Sequence, residues 1–247
     1  MSKKILGHEF LRKLGKKRLR PGGIEATNFL LNHIDFKKEL KILEVACNNG
    51  LNLSILSSKY PYCKFYGVDL DDKMIQEAKK RNLSNVEFIR ANAAKLPFED
   101  DSIDCILNEA MLTMLPNTVK ERVLSEYKRV LKKGGILLTH DIAIIDNEDK
   151  VVEKLSNAVN ISVSPMIIEN WTKILNNNGF DIVEQKMGKL TLLNPLGLIK
   201  DEGLLTTIKI VFNGLKKENR DQFLNMKKTF TKLKNDMNYI AIVSKKR

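Results

Sequence analysis

The sequence predicts an α/β fold with a doubly wound, mostly parallel, seven-stranded Rossmann-like sheet. Short apolar runs of strand length alternate with helical patterns from about residue 41 to residue 140. Such alternation is typical of a parallel sheet that helices cover on both faces. A helical pattern precedes this region, and a long helical excursion separates the last two apolar runs. We therefore expect an N-terminal helical segment and a helical insertion before the last strand.

The N-terminal segment is predicted to be a basic helix over residues 1–23, because a proline and two glycines break the pattern at 21–23. A second helix is expected at residues 24–33. The first segment concentrates the basic residues of a chain whose formal net charge is +12: Lys3, Lys4, Arg12, Lys13, Lys16, Lys17, Arg18 and Arg20. The alternatives for this segment are that it binds RNA, an anionic membrane surface or an acidic substrate, or that it is an ordinary solvated helix. Few aromatic residues lie among the basic ones, which favours the solvated helix over an RNA-binding segment.

The remaining elements follow from hydrophobic periodicity and turn residues. Strands are expected at residues 41–46, 64–69, 86–90, 103–108, 136–140, 180–186 and 238–243. Helices are expected at residues 51–58, 71–81, 117–131, 149–159 and 166–177, and within 195–236. The chain then forms a single domain over residues 1–247. Its parts are an N-terminal helical lid (1–35), a Rossmann-like core (36–187), a helical cap (188–236) and the final strand (237–247).

Length and composition exclude several classes of protein. A chain of 247 residues with 43% hydrophobic residues and 6 prolines can bury a sizeable core. No stretch approaches the roughly 20 apolar residues that span a bilayer, and the N-terminus lacks the apolar region of a secretory signal. Cys47, Cys63 and Cys105 form no CxxC pair, and the histidines show no zinc spacing, so we expect no disulfide framework and no metal site. These features predict a cytoplasmic location.

The candidate ligand site lies where the predicted strands end, because a doubly wound sheet binds ligands outside the carboxyl ends of its strands. The first strand runs into Glu-Val-Ala-Cys-Asn-Asn-Gly, residues 44–50. Its small residues let the backbone approach a ligand, and the next helix presents its N-terminus. A dinucleotide fold needs G-x-G-x-x-G for a pyrophosphate, whereas this turn has one glycine. The turn therefore favours a ligand without phosphates and disfavours a nicotinamide oxidoreductase.

The second strand ends at Asp69. A carboxylate at this position can accept hydrogen bonds from both hydroxyl groups of a ribose. The alternative is that Asp69 caps the following helix. Asp71 can do that capping, so the sequence favours the ribose for Asp69.

Five strand-end motifs occur in an order that resembles a known family. They are residues 44–50, Asp69, residues 92–98 (Asn-Ala-Ala-Lys-Leu-Pro-Phe), residues 104–109 (Asp-Cys-Ile-Leu-Asn-Glu) and residues 129–136 (Arg-Val-Leu-Lys-Lys-Gly-Gly-Ile). Together they resemble the class I S-adenosylmethionine-dependent methyltransferases, in particular the branch that includes the ubiquinone and menaquinone methyltransferases. The resemblance runs from about residue 40 to 142, and more loosely through 171–180. It implies a methyltransferase whose cofactor is S-adenosyl-L-methionine.

The resemblance also implies how the first turn would hold the cofactor. Glu44 would draw the ammonium of the methionine portion. The backbone of Ala46, Cys47, Asn48 and Gly50 would surround the same portion. The family prefers glycine where this chain has Ala46 and Asn48, which leaves open a catalytically silent cofactor-binding module.

The next two strand ends would hold the nucleoside. By the same resemblance, Asp69 would bind the ribose hydroxyls and Leu70 would pack on the adenine. Asn92 would contact the adenine amino group, and the backbone N–H of Ala93 would meet a ring nitrogen. The family usually has aspartate at the position of Asn92, although a neutral amide oxygen can still accept a hydrogen bond from an amine.

The predicted reaction centre lies at the ends of the fourth and fifth strands. The resemblance places Asn108 and Glu109 beside the methionine group. Methyl transfer from a sulfonium is an in-line displacement, and some acceptors also need a general base. Glu109 and His140 are the candidates for that base. The alternatives are that His140 is the bonded partner of Asp141 or a backbone group, and that Glu109 is a helix cap or a cofactor contact.

The leading hypothesis is a small-molecule methyl acceptor. Residues 108–111 lack the Asn/Asp-Pro-Pro-aromatic signature of enzymes that methylate base amines or glutamine amides. Met111, Met114, Met166 and Met187 would line an apolar acceptor pocket or would simply be core residues. An RNA methyltransferase that uses the basic N-terminal segment is the second hypothesis, and a silent module that binds S-adenosylmethionine is the third. The sequence specifies neither the acceptor nor the oligomeric state.

Overall fold

One sheet organises the structure, a computed structural model that describes residues 5–247. Its strands are β1 (Lys41–Val45), β2 (Lys64–Asp69), β3 (Val86–Arg90), β4 (Ile103–Glu109), β5 (Leu131–Ile144), β6 (Met166–Ile167), β7 (Phe180–Gly188) and β8 (Met237–Lys246). Their order is β3-β2-β1-β4-β5-β8-β7, and β6 pairs with β5 beside this path. The strands β1 to β5 pair in parallel, whereas β8 runs antiparallel to β5 and β7. The predicted fold class is confirmed, with the short β6 as an addition.

Helices cover both faces of this sheet. They are α1 (Gly7–Leu14), α2 (Gly23–Leu31), α3 (Leu51–Lys59), α4 (Asp72–Lys79), α5 (Asn117–Val130), α6 (Glu148–Val159), α7 (Ile168–Asn177), α8 (Pro195–Glu202), α9 (Leu204–Leu215) and α10 (Arg220–Lys232). Neighbouring residues Ile42 and Leu43 of β1 belong to different hydrophobic clusters, because successive side chains of a strand point to opposite faces. Helices α5 and α7 supply one cluster, and α2, α3 and α4 supply the other.

The order of the strands fixes where a ligand binds. Strands β2 and β3 extend the sheet on one side of β1, and the chain then crosses to the other side of β1 for β4 and β5. The carboxyl ends of β1 and its neighbours therefore border the crevice at which such sheets bind ligands.

The structure corrects two predicted boundaries in the core. Strand β5 is longer than predicted and begins at Leu131, where α5 ends. The glycines at 134–135 do not stop the helix. They lie where the register between β4 and β5 shifts, as at a β-bulge. The predicted helix at 166–177 begins two residues later, because β6 occupies its first two positions.

The N-terminal basic helix is shorter than predicted. Helix α1 ends at Leu14 with Gly15 as its C-terminal cap, and the chain from residue 16 to residue 22 is not helical. The expected stop at 21–23 instead marks the start of α2. The part of the prediction that covers residues 1–4 lies outside the described residues. We call residues 16–22, which connect α1 to α2, the strap.

A helical cap lies between β7 and β8, as the sequence predicts. Helices α8, α9 and α10 share a hydrophobic cluster with α1, in which Phe10, Leu11 and Leu14 pack against the cap residues Leu198, Ile210, Phe223 and Met226. The N-terminal helix and the insertion therefore form one layer. Among the helices of residues 5–247, none combines the length and the apolar character needed to cross a bilayer. The division into lid, core and cap stays a prediction.

Candidate active site

A cavity of about 460 Å³ lies between the strand ends and the cap. Cavities of roughly 300–1,000 Å³ are typical of small-molecule sites. The strand ends contribute Glu44, Asp69, Glu109 and Asp141 to its wall. The strap contributes Arg20. Polar groups from distant parts of the sequence thus converge at the edge of the sheet where the fold predicts a ligand.

The turn after β1 forms the floor of the cavity. Ala46 (φ 57°) and Asn48 (φ 51°) adopt left-handed backbone, which glycine adopts most readily. These are the positions at which the family prefers glycine, so the chain keeps the backbone of the turn without the glycines. Cys47 also lines the cavity, and burial raises the pKa of its thiol. Gly50 (φ 70°) lies behind the turn, where an added Cβ would come within 2.4 Å of the Phe88 ring. Its predicted contact with the cofactor is better described as shaping the turn.

Glu44 presents an unpaired oxygen at the cavity. Its Oε1 accepts a hydrogen bond from Asn52 Nδ2 at 2.7 Å, and its Oε2 has no partner among the described residues. Burial, and next the nearby charge of Glu109, raises the pKa of Glu44 to about 8. An ammonium group would satisfy Oε2 and favour the carboxylate. The residues present therefore fit the methionine end of S-adenosylmethionine.

Asp69 ties the first turn to the second strand end. Its Oδ2 accepts a hydrogen bond from Asn48 N at 2.8 Å, and its Oδ1 accepts one from Asp71 N at 2.9 Å. Asp71 caps α4 by accepting from Lys73 N at 2.9 Å, as predicted. Each carboxylate oxygen has more than one acceptor position, so Asp69 can still receive two ribose hydroxyls. Its placement fits the predicted role.

The residues predicted to hold the adenine lie at the same edge but outside the cavity wall. Leu70 is 64% exposed. The Asn92 side chain accepts from Ala94 N at 2.9 Å and closes a local turn. Ala93 packs against a core cluster. Ala91 N donates to the backbone oxygen of Asp69, which joins this turn to the ribose end. The adenine contacts of Leu70, Asn92 and Ala93 stay predictions.

Glu109 is the centre of a buried hydrogen-bond network. Its Oε1 accepts from Thr27 Oγ1 at 2.5 Å and from His140 Nδ1 at 2.8 Å. Its Oε2 accepts from Arg20 at 2.5 Å and from Asn52 Nδ2 at 3.0 Å. Burial alone would raise its pKa, but the charge of Arg20 and the hydrogen bonds from His140 and Thr27 lower the pKa to about 2. An ionised carboxylate with four donors is a weak base, so the geometry favours an anchoring role.

His140 is fully buried, with both ring nitrogens engaged. Nε2 accepts a hydrogen bond from Gly22 N at 2.9 Å. Nδ1 therefore carries the proton and donates it to Glu109. The unprotonated nitrogen already has its donor, so this geometry favours the alternative of a partner to a backbone group, in which His140 joins β5 to the strap. The role of His140 as a general base stays a prediction.

Asn108 is also placed differently from the prediction. Its side chain is fully buried, and its Oδ1 accepts from Tyr127 Oη at 2.5 Å. Tyr127 belongs to α5, which packs on one face of the sheet. The side chain thus points into the core, because β4 alternates its residues between the core and the cavity edge. The placement of Asn108 beside the methionine group stays a prediction.

The wall on the cap side is apolar. Seven of its residues belong to one hydrophobic cluster: Met114, Ile142, Leu155, Val159, Ile161, Val163 and Phe230. Met111 also lines the cavity, whereas Met166 is a core residue and Met187 is 40% exposed on β7. Two of the four predicted methionines therefore face the cavity.

Asp141 is a carboxyl group in the cavity wall that the sequence analysis did not single out as a base. It follows His140 on β5 and is buried, and its oxygens accept from the backbone N of Thr113 at 3.0 Å and of Ile142 at 2.9 Å. Burial raises its pKa despite these hydrogen bonds. The signal in the sequence was its position at a strand end beside His140.

Basic residues of the strap also have a role that the sequence did not reveal. Arg20 pairs with Glu109, and both side chains are nearly buried. Lys16 pairs with Glu202 of α8 at 3.4 Å, and both side chains are fully buried. Arg18 donates to the backbone oxygen of Asp201. Lys16 and Arg20 are buried, so the solvated surface expected for the basic segment does not describe these two residues. The pairs fasten the strap to the sheet and the cap.

Comparisons with known proteins agree with this geometry. Residues 42–135 match the family model described as a methyltransferase domain. A Haemophilus influenzae protein, described as uncharacterized, is 43% identical over 252 residues that cover 100% of both chains. A ubiquinone/menaquinone biosynthesis C-methyltransferase of Campylobacter jejuni is 37% identical over 108 residues, which cover 41% of this chain and 44% of that protein. The chain thus aligns with less than half of this relative.

Solved structures extend the likeness to most of the fold. The crystal structure of MccD protein has a TM-score of 0.73 at 18% identity and covers 93% of this chain and 100% of that chain. The structure of geranyl diphosphate methyltransferase in complex with SAM has a TM-score of 0.66 at 15% identity and covers 90% and 84% of the two chains. Residues 42–135 of the chain form a class I S-adenosylmethionine-dependent methyltransferase domain. The predicted family, enzyme class and cofactor, S-adenosyl-L-methionine, are confirmed.

Proposed function

We propose that the protein transfers the methyl group of S-adenosylmethionine to a small apolar molecule held on the cap side of the cavity. The observation that supports this most is the composition of the cavity wall. Carboxylates and amides line it at the strand ends, and one hydrophobic cluster lines it toward the cap. The polar part fits the cofactor, and the apolar part fits an acceptor that is apolar around its reacting atom.

Different residues of the cavity would bind the cofactor and align the acceptor. Glu44 would bind the ammonium of the cofactor, and Asp69 would bind its ribose. When bound, the cofactor supplies a methyl group activated by a positively charged sulfur. Glu109, anchored by Arg20, would hold the strand end and Asn52 in place. The apolar wall would exclude water and align the acceptor, and alignment is the main source of rate in a displacement of this kind.

Asp141 is the group in the wall best placed to remove a proton from the acceptor. Its raised pKa suits a general base better than the lowered pKa of Glu109. For an acceptor that must lose a proton, we expect Asp141→Asn to reduce kcat by about a hundredfold and to leave the Kd of S-adenosylmethionine unchanged. An unchanged kcat in a folded variant would remove Asp141 from this role.

Calorimetric titration tests the cofactor site. The wild-type protein should bind S-adenosylmethionine and S-adenosylhomocysteine and should not bind NAD. Asp69→Asn should weaken binding of both sulfur ligands about a hundredfold, because it removes a charge-assisted acceptor of two hydrogen bonds. Asp104→Asn is the matched control, since Asp104 lies near the start of β4 and binds Lys41 N and Lys132. Wild-type affinity in a folded Asp69→Asn variant would show that the ribose is misplaced.

A screen of apolar acceptors tests the rest of the proposal. Production of S-adenosylhomocysteine should depend on an apolar acceptor, and Ile161→Trp should reduce it at least tenfold while the cofactor still binds. Ile161 is suitable because it lines the cavity and is only partly buried. Turnover of RNA with steep salt dependence would favour the second hypothesis. Cofactor binding without turnover of any acceptor class would favour the silent module. The cytoplasmic location stays a prediction.

A further inference from the structure

Helix α9 turns its apolar face outward. Thr207, Ile210 and Gly214 form its buried face. Six apolar residues on the other face are between 37% and 83% exposed: Leu204, Leu205, Ile208, Val211, Phe212 and Leu215. A surface helix of a globular protein normally shows the reverse pattern, with polar residues outside. We call these six residues the outer stripe.

The outer stripe is continuous along the helix. The positions 204, 208, 211 and 215 repeat every three or four residues, and 205 and 212 adjoin them, so all six lie on one side. Helix α8, which packs against α9, exposes Leu196 (79%) and Ile199 (39%) as well. A contiguous apolar surface of this kind marks an interaction site when no part of the protein covers it. Within residues 5–247, nothing does.

Positive charge accompanies the outer stripe. Lys209 lies on α9, and Lys216 and Lys217 follow its last turn, all of them exposed. The ammonium of Lys216 lies 5.3 Å from the centre of the Phe212 ring. An apolar face combined with lysines is typical of a helix that lies in the interface of an anionic membrane.

Charge decides between the two simplest occupants of this surface. A second copy of the chain would bring two molecules of formal net charge +12 together, and they would repel each other. An anionic lipid surface attracts the same charge. We propose that the outer stripe of α9 binds an anionic membrane surface, with its apolar side chains among the acyl chains and its lysines at the headgroups. The binding is peripheral, and it is independent of methyl transfer and of the cofactor.

Vesicle flotation tests the proposal with the full chain and no cofactor. The protein should float with vesicles of equal parts phosphatidylglycerol and phosphatidylcholine, but not with phosphatidylcholine alone, and salt should weaken the binding. The double variant Leu205→Ser/Phe212→Ser should lower the partition coefficient about a hundredfold, since two large apolar side chains leave the lipid. The control Tyr62→Ser/Val183→Ser removes two side chains that are 50% and 51% exposed elsewhere, and it should bind like wild type. Circular dichroism checks that both variants fold.

Three results would overturn the proposal. One is wild-type protein that stays with the soluble fraction at low salt. Another is an equal loss of binding in the control variant, which would make the effect nonspecific. The third is a dimer in sedimentation analysis that Leu205→Ser/Phe212→Ser dissociates while the wild type binds no vesicles, which would assign the outer stripe to a second copy.

Discussion

Replacing Arg20 by methionine removes the cation that holds Glu109. Both side chains are only 5% and 6% exposed, so water cannot replace the lost partner. Breaking a buried pair in this way typically costs about 3–5 kcal/mol. The pKa of Glu109 gives a similar magnitude, because its fall from 4.5 to about 2 corresponds to about 3 kcal/mol of preference for the carboxylate. Since Thr27, His140 and Asn52 still donate to Glu109, we expect Arg20→Met to lower the free energy of unfolding by about 3 kcal/mol at pH 7.

The pH dependence of this loss identifies its cause. A carboxyl group whose folded pKa is lowered contributes stability that is fully present above about pH 4.5 and is lost as the pH falls toward 2. Without Arg20, the pKa of Glu109 rises, so the variant loses the part of this contribution that Arg20 supplies. The difference in free energy of unfolding between wild type and Arg20→Met should therefore be largest at pH 7 and should decrease below about pH 4.5.

Urea denaturation, monitored by circular dichroism, measures the loss of free energy of unfolding at each pH. The double variant Arg20→Met/Glu109→Gln should be more stable than the sum of the two single changes predicts, because it leaves no unpaired charge. Lys38→Met is the control, since its pair with Asp35 is exposed (74% and 56%) and should change stability by less than about 0.5 kcal/mol. A loss for Arg20→Met as small as that of the control, and equal at pH 7 and pH 3, would refute the reasoning.

Two further predictions concern the first turn. Gly50→Ala places a Cβ 2.4 Å from Phe88 at φ 70°, and it should lower the free energy of unfolding, measured by urea denaturation, by about 2–3 kcal/mol. The control Gly134→Ala, at φ 73° in open space, should lower it by only about 1 kcal/mol. Equal losses would mean that the contact with Phe88 is unimportant. Glu44, whose pKa is raised to about 8, should release a proton when an ammonium binds, so the affinity for S-adenosylmethionine should rise from pH 6 to pH 8. Calorimetry in two buffers of different ionisation enthalpy measures this release, and Glu44→Gln should abolish it; the same release from the variant would assign the proton to another group.

The local sequence pattern is sufficient to predict most of the strands and helices of the core. Strands β2 and β3 have the predicted bounds, because each is a short apolar run between turn residues. The cap of α4 by Asp71 follows from residue type alone. The antiparallel direction of β8 does not follow, since an apolar run reads the same in either direction. That direction depends on how the chain returns from the cap to its place between β5 and β7.

In the site, likewise, the sequence predicts residues marked by nearby sequence and does not predict contacts between residues far apart in the chain. The strand-end position predicts a ligand contact for Asp69, and the family resemblance implies one for Glu44. The role of Arg20 was not, because its partner Glu109 lies 89 residues away and nothing in the local sequence marks the pair. Lys16 lies 186 residues from its partner Glu202, so the local sequence does not predict that its charge is buried. The hydrogen bonds of His140 with Gly22 and of Asn108 with Tyr127 do not follow from the local sequence either, because each joins residues far apart in the chain.

The antiparallel pairing of β7 and β8 has a consequence for the cap. Gly188 and Tyr239, the residues from which the insertion leaves and to which it returns, are Cα partners in the sheet. The whole cap thus occupies the place of a hairpin loop, which is the kind of position at which proteins accept inserted segments. The cap contributes Leu192, Met226 and Phe230 to the cavity, whereas the other apolar wall residues come from β5, α6 and the segments beside them. Exchanging the cap for that of a relative would therefore change one part of the cavity wall and leave Glu44 and Asp69 untouched.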